Sequence, residues 1–239
     1  MGVSYNPRIV TDGLVLCLDA GNKRSYPGTG TVWADLSNQN NNGTLVNGPT
    51  FDSANGGSIL FDGTDDRCDT TSLDLDFHQD SCSVCMWVLL NSISAPEYFF
   101  TKHQSGDTNV SFTFWMFASN QLQIIRNYTT TNTSLTFTNY PAILEGNWKH
   151  LTVINDTPTN LNASSLSFYL DAVLQTPTTS DNGSGSSSPS VGTFSLAGRI
   201  FDNARQVNAN IQGVQVYNKV LSEQEIRQNY KATKGRFEV

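Results

Sequence analysis

Short bursts in which apolar and polar residues alternate, each bounded by Gly, Asn, Asp or Pro, recur along this chain. A period of two is the signature of a strand with one face buried. About a dozen runs carry strand-like character: residues 13–19, 43–46, 58–62, 82–90, 97–102, 110–117, 121–126, 135–139, 147–155, 165–171, 192–200 and 210–217. No helical period of useful length precedes Ser222. Strands at this spacing predict an all-β chain, an antiparallel two-sheet jelly-roll sandwich rather than βαβ units. Ser119-Asn120, a polar pair between two apolar runs, reads as a hairpin turn. The run 110–117 is apolar on both sides, with Phe112, Phe114 and Met116 on one face and Trp115 and Phe117 on the other. Such a strand either lies centrally beneath a loop or carries a partner-binding face.

The end of the chain changes period. Val214 and Val216 alternate with Gln215 and Tyr217, and Ser222 then stands as an N-cap with Glu225 three residues on, a capping box. Leu221 and Ile226 are spaced as a hydrophobic staple. Glu223 and Glu225 open the segment and Lys231 and Lys234 close it, matching the macrodipole, with Gly235 placed to end it. A short C-terminal helix stapled onto a β-domain is predicted.

Composition narrows the function. Charged residues make up 15% of the chain, below the roughly 25% of ordinary globular proteins, and Thr, Ser, Asn and Gly supply the polar surface. A formal charge of −7 and the lack of any Lys/Arg cluster argue against a nucleic-acid partner. No apolar run approaches the ~20 residues of a membrane helix, so no membrane partner is expected. Residues 1–8 have no apolar core of an export signal, and Asn6 departs from the myristoylation pattern. Sequons such as Asn127-Tyr128-Thr129 are expected to stay unmodified.

Cys82 and Cys85 form a C-x-x-C, but on a strand residues three apart face opposite sides, so the thiols diverge. Cys17, Cys68 and the three histidines offer no second pair at metal spacing. Four buried free thiols are expected.

Three stretches, taken together, resemble a family. Residues 213–226 are similar to the closing strand and helix of laminin-G-like, concanavalin A-type jelly-roll domains. Trp148-Lys149-His150-Leu151-Thr152-Val153, with its partner at 166–172, resembles their central W-x-H-x-x-V strand. Residues 13–22, Trp33 to Ser37, Asn42 to Leu45 and Ile59 to Asp66 follow the family's order. The resemblance implies one jelly-roll domain at 12–235, flanked by an N-terminal arm at 1–11 and a tail at 236–239. The Ser/Gly/Thr-rich stretch 175–190 then reads as a long surface loop within that domain.

The resemblance also frames the chemistry. The jelly-roll glucanases carry alternating acids, E-x-D-x-x-E or E-x-D-x-E, on one strand face. Here the glutamates are Glu97, Glu145, Glu223, Glu225 and Glu238, none two residues from an Asp on a strand, so no enzyme is expected. His150 is expected to be a structural strand residue. Relatives often hold Ca²⁺ with Asp and backbone carbonyls; the candidates are Asp62, Asp65 and Asp66, with Asp19 approaching, and solvated turn acids are the competing reading. Many relatives carry Asp-Glu where this chain has Gln212-Gly213. Sugar stacking needs an exposed aromatic beside hydrogen-bonding groups. Among Tyr26, Trp33, Tyr98, Trp115, Tyr128 and Tyr140, Trp33 is expected in the core with Leu36 and Tyr128 exposed. The carbohydrate-binding candidates are therefore Tyr128 with Asn127, Tyr98 and Trp115.

Residues 6–15 and 228–237 are similar to stand-alone laminin-G-like proteins of tailed, especially marine, bacteriophages. That implies a non-enzymatic virion structural protein, either a capsid-surface decoration or fibre or a tail adhesin. It would be made in the host cytoplasm, oligomeric or arrayed on the particle, and would bind another virion protein or a host glycan. The alternative is a carbohydrate-binding or hydrolytic domain of a bacterial cell-surface enzyme, against which the missing acid motif and export signal count.

Overall fold

Each long alternating run folds as the strand that its period predicts. The computed structural model describes residues 7–70, 73–103, 110–156, 161–186, 192–200 and 205–237. In chain order its strands begin with β1 (Leu14–Asp19), β2 (Val32–Trp33), β3 (Gly43–Val46), β4 (Thr50–Asp52), β5 (Ser58–Asp62) and β6 (Arg67–Thr70). There follow β7 (Cys82–Leu90), β8 (Glu97–His103), β9 (Val110–Ala118), β10 (Gln121–Arg126) and β11 (Thr133–Thr138). A single helical turn, α1 (Pro141–Leu144), precedes β12 (Trp148–Asn155), β13 (Leu166–Leu170), β14 (Val173–Leu174) and β15 (Thr179–Asp181). The chain closes through β16 (Phe194–Leu196), β17 (Asn208–Tyr217) and α2 (Glu223–Thr233).

Two antiparallel sheets result. One has eight strands in the order β14-β13-β12-β7-β17-β5-β4, with β1 also paired to β17. The other has nine, in the order β15-β11-β10-β9-β8-β16-β6-β3-β2. The core between them joins Leu16, Ile59, Val84, Met86, Val214 and Val216 to Phe100, Phe112, Phe114, Ile124 and Phe137. The long strand β17 is edged by β5 as far as Ile211 and by β1 from Gly213. A Cβ on Gly213 would lie 2.6 Å from the Leu18 carbonyl oxygen, which is why the crossing takes glycine.

Several sequence expectations are corrected. The stretch 175–190 is not loop throughout: Thr179–Asp181 pairs with β11, because an edge strand of small hydroxyl residues needs no apolar face. Residues 187–190 lie outside the described residues, as do 1–6 of the arm and 238–239 of the tail. The run 192–200 shrinks to β16, which ends where Ala197 adopts a φ of 62°. Strands β2, β4, β6 and β14 and the turn α1 have too few residues to show a period. Gly235 does not stop the helix; α2 passes into a 3₁₀ turn at Lys234–Arg236.

The predicted cap is present. The Ser222 hydroxyl accepts from the Glu225 amide and the Glu225 carboxylate accepts from the Ser222 amide. Leu221 and Ile226 pack with Val10, Cys85 and Tyr217 on the outer face of the eight-stranded sheet. Asn229 ties the N-terminal arm there, accepting from the Val10 amide at 2.8 Å and donating to the Tyr217 hydroxyl at 3.0 Å. Trp87 stacks on Phe237 and Tyr230 at 4.2 and 5.7 Å and donates to the Thr233 hydroxyl at 2.7 Å. Cys82 faces the inner core and Cys85 faces α2, as strand geometry requires. All four thiols are free and buried; burial pushes Cys17 and Cys82 up to about 12 and Cys85 up to about 11. Among the described residues no helix is long and apolar enough to cross a membrane.

His150 lies buried beneath α2, its ring 5.2 Å from Trp87, and neither ring nitrogen has a hydrogen-bond partner. Burial pulls its pKa down to about 4, and does the same to His78. A histidine whose folded pKa is depressed leaves the folded state with fewer protons than the unfolded chain, so stability drains away as pH falls from about 6.5 to 4. Glu97, pushed up to about 7 by burial, works in the opposite sense between about 4.5 and 7. The unfolding midpoint of a His150→Phe variant should therefore fall less on acidification than the wild type's, with a difference approaching about 3 kcal/mol by pH 4. Parallel acid profiles for the two proteins would contradict this account. Ser222→Ala should cost about 1 kcal/mol in urea unfolding; no loss would mean the cap does not hold α2.

Candidate functional site

The nine-stranded sheet turns Phe112, Phe114 and Met116 inward, so the alternate residues of β9 must face out. Trp115 is the centre of that outer face. Cross-strand register places it opposite Tyr98 on β8 and opposite Gln123 on β10. Gln123 in turn lies opposite Thr136 on β11, and Thr136 opposite Thr179 on β15. The result is one transverse row across five strands, about 19 Å long at ordinary strand spacing.

Contacts hold the row together. Tyr98 and Trp115 stack with centroids 5.3 Å apart and planes 10° from parallel. The Trp115 indole donates to Gln123 Oε1 at 3.2 Å, and Gln123 Nε2 donates to the Thr136 hydroxyl at 3.1 Å. Bulges flank the centre. On β8 the register slips between Tyr98 and Phe100, letting both Phe99 and Phe100 enter the core while Tyr98 stays outside it. On β9 a second slip isolates Phe117, whose ring lies 5.1 Å from Trp115 and is 47% exposed. Bulges re-aim side chains in this way beside functional sites.

The β8 end of the row is cationic. Arg205 Nη1 donates to the Tyr98 hydroxyl at 3.0 Å, and the Arg199 guanidinium lies 5.6 Å from the Tyr98 ring centroid. The strands of this sheet carry three carboxylates. Asp69 pairs with Arg67 at 2.9 Å, Asp181 accepts from the Ser134 hydroxyl at 3.1 Å, and Glu97 turns inward opposite Met116. Asp69 on β6 and Asp181 on β15 stand six strands apart, about 29 Å, where paired acids for glycoside hydrolysis need roughly 5 to 9.5 Å.

Of the sequence candidates, Tyr98 and Trp115 are brought together and Tyr128 and Asn127 are not. Tyr98 is buried and stacks on Trp115 from the neighbouring strand, so it braces the indole from the side. Tyr128, expected to be exposed, is half-buried against His78 at 5.2 Å and Arg126 at 5.7 Å. It lies five residues along from the level of Gln123, roughly 17 Å. Tyr26 and Trp33 are buried, and the Tyr140 hydroxyl donates to Gln175 at 2.6 Å. The residues missed by sequence reasoning are Gln123, Thr136 and Arg205; Phe117 is where the two-sided pattern of the run 110–117 placed it, on the same face as Trp115.

Asp62, Asp65 and Asp66 do converge, with one oxygen from each within 4.8 Å of the others. Burial first, then the charges of Asp62 and Asp65, push the Asp66 pKa up. Among the described residues no Lys or Arg pairs with the three, and an all-oxygen donor set fits a hard divalent cation. Asp19, expected to approach them, belongs elsewhere. Arg236 clamps it at 2.8 and 3.0 Å, and Gln212 donates to it at 2.5 Å, so the protein's own cation satisfies that carboxylate. A separate cavity of about 340 Å³ opens between the sheet edges, lined by Leu135, Ala163, Leu166, Leu174 and Pro177, with no charged group.

The laminin-G-type family model described as the concanavalin A-like lectin/glucanases superfamily matches residues 62–227. No curated protein matches the chain in sequence. Among solved structures, the ligand binding domain of botulinum neurotoxin serotype D, in complex with N-acetylneuraminic acid, superposes with a TM-score of 0.69 at 14% identity, covering 93% of this chain and 51% of that one. The Trypanosoma rangeli sialidase in complex with sialic acid gives 0.66 at 12%, covering 94% and 34%. The binding domain of Paraclostridial Mosquitocidal Protein 1 gives 0.67 at 10%, covering 92% and 52%. The chain thus spans about half or less of these proteins, and at such identities the likeness is one of fold. Matched by its model over well more than half its length, the chain belongs to the concanavalin A-like lectin/glucanases superfamily.

Proposed function

We propose that this chain is a non-enzymatic glycan-binding adhesion domain, and that the outward-facing row centred on half-buried Trp115, with exposed Phe117 beside it, is its binding face. One observation carries the reading: an indole and an exposed phenyl ring sit beside an ordered Gln–Thr hydrogen-bond chain on an open sheet. Apolar ring faces stack on pyranose C–H surfaces, and the amide and hydroxyl groups suit sugar hydroxyls. The six-strand separation of Asp69 and Asp181 supports recognition without hydrolysis. Sialic acid complexes of the neurotoxin domain and the sialidase lend the reading a precedent for the fold, not for these residues.

The resemblance of both ends to bacteriophage laminin-G-like proteins supports a place on the virion surface, as a capsid decoration or fibre or a tail adhesin, arrayed with other virion proteins. Immunogold labelling of source particles tests this; label confined to host cells would reject it. Calcium in the Asp62–Asp66 turn belongs to the same proposal, supported by three acids within reach of one ion that form no ion pair with any other described residue. Millimolar Ca²⁺ should raise the unfolding midpoint of the wild type and not of Asp65→Asn. Equal midpoints in Ca²⁺ and EDTA would remove the metal.

Trp115→Ala should weaken glycan binding at least about tenfold, on a glycan array followed by calorimetry, with the circular dichroism spectrum unchanged. Phe117→Ser should change stability by no more than about 0.5 kcal/mol, whereas Phe114→Ala, two strand positions from Phe112 in the core, should cost about 3–5 kcal/mol. A large loss for Phe117→Ser would make that ring structural and the face ordinary.

A further inference from the structure

Resting on the glycan reading of this face, we infer that its ligand is an acidic saccharide whose carboxylate docks on Arg205 at the β8 end of the row. The chain is acidic overall, with 21 Asp and Glu against 14 Lys and Arg, so guanidinium groups beside its exposed aromatic stretch run against the average. Arg67, Arg227 and Arg236 each pair with a carboxylate, from Asp69, Glu223 and Asp19. Arg205, which is half-buried, instead spends its Nη1 on the neutral Tyr98 phenol, and no ion pair among the described residues includes it.

That bond fixes the guanidinium without neutralising it. Tyr98 is itself immobilised by the Trp115 stack and by Arg199 near its ring, so the cation and the indole are positioned by one shared side chain. The guanidinium is a planar fork with five N–H donors, and a carboxylate matches two of them side by side. The opposite end of the row has the opposite sign: exposed Asp181 stands on β15 two residues past Thr179. Such a gradient orients a ligand, its acid toward β8 and its neutral hydroxyls toward Gln123, Thr136 and Thr179.

Calorimetric titration tests the inference with two matched pairs of probes, trigalacturonate against its methyl ester and sialyllactose against lactose. At least one acidic probe should bind about tenfold or more tighter than its neutral partner, as a charge-assisted pair requires, and the gap should narrow with added salt. Arg205→Gln should erase that gap, and Arg205→Lys should restore part of it. Equal binding within both pairs overturns the acidic preference, a gap that survives Arg205→Gln overturns Arg205 as the dock of the carboxylate, and either result leaves the Trp115 platform standing. No binding of any probe, or binding that Trp115→Ala does not weaken, overturns the platform and the acidic preference with it.

Discussion

The antiparallel register of β8, β9, β10 and β11 is the constraint on which the rest of this molecule depends. A strand has two faces and a period of two, so sliding one strand by a single residue exchanges every inward side chain for an outward one. Here the inward set is Phe100, Phe112, Phe114, Ile124, Leu135 and Phe137, all buried in the core. Exchanging that set with the solvent face would expose rings that each hold several kcal/mol. The core therefore dictates the outer face: once Phe114 is inside, Trp115 is outside, opposite Tyr98 and Gln123. The row is a by-product of burial, refined by two bulges that turn Tyr98 outward and isolate Phe117.

The two outer faces of the sandwich have opposite fates. That of the eight-stranded sheet is sealed by α2 and the N-terminal arm over Trp87, Trp148, His150 and Tyr217. Capping at Ser222, the Asn229 bridge to Val10 and the ring stack on Trp87 make that seal specific rather than merely apolar. The nine-stranded sheet keeps its face open at Trp115 and Phe117. Aromatic residues of similar kind are thus structural on one side and available on the other, a distinction set by where the helix lands.

Much of this was legible in the residues. The strands from β7 to β13 follow from short apolar or alternating runs bounded by turn residues, the hairpin from Ser119-Asn120, and the helix from Ser222, Glu225, Leu221 and Ile226. The diverging thiols of Cys82 and Cys85 follow from strand geometry alone. The pairing of Tyr98 with Trp115 does not, because register between residues seventeen apart in the chain depends on bulges that leave no composition signal. Arg205 escaped for a similar reason: it reaches β8 from a segment after β16, and only the folded chain brings them together. The buried Lys102 and Arg126 also sit at inward positions of β8 and β10 where alternation predicts apolar residues. Lys102 donates there to the Leu73 carbonyl, and the two Nη atoms of Arg126 donate to Asn155 and Ser165. Asp19 was drawn to the acidic turn by family resemblance, and the C-terminal Arg236 claims it instead.

The claim that the open face is a binding face is tested most directly through the indole N–H signals of the four tryptophans, Trp33, Trp87, Trp115 and Trp148. Three of these rings are buried and one is half-buried on the open sheet. In a proton–nitrogen correlation spectrum titrated with a saccharide that binds, the Trp115 indole signal, identified by its loss in Trp115→Phe, should move while the other three hold still. Movement of Trp87 or Trp148 with Trp115 unmoved would put the ligand on the helix-covered side and contradict the account.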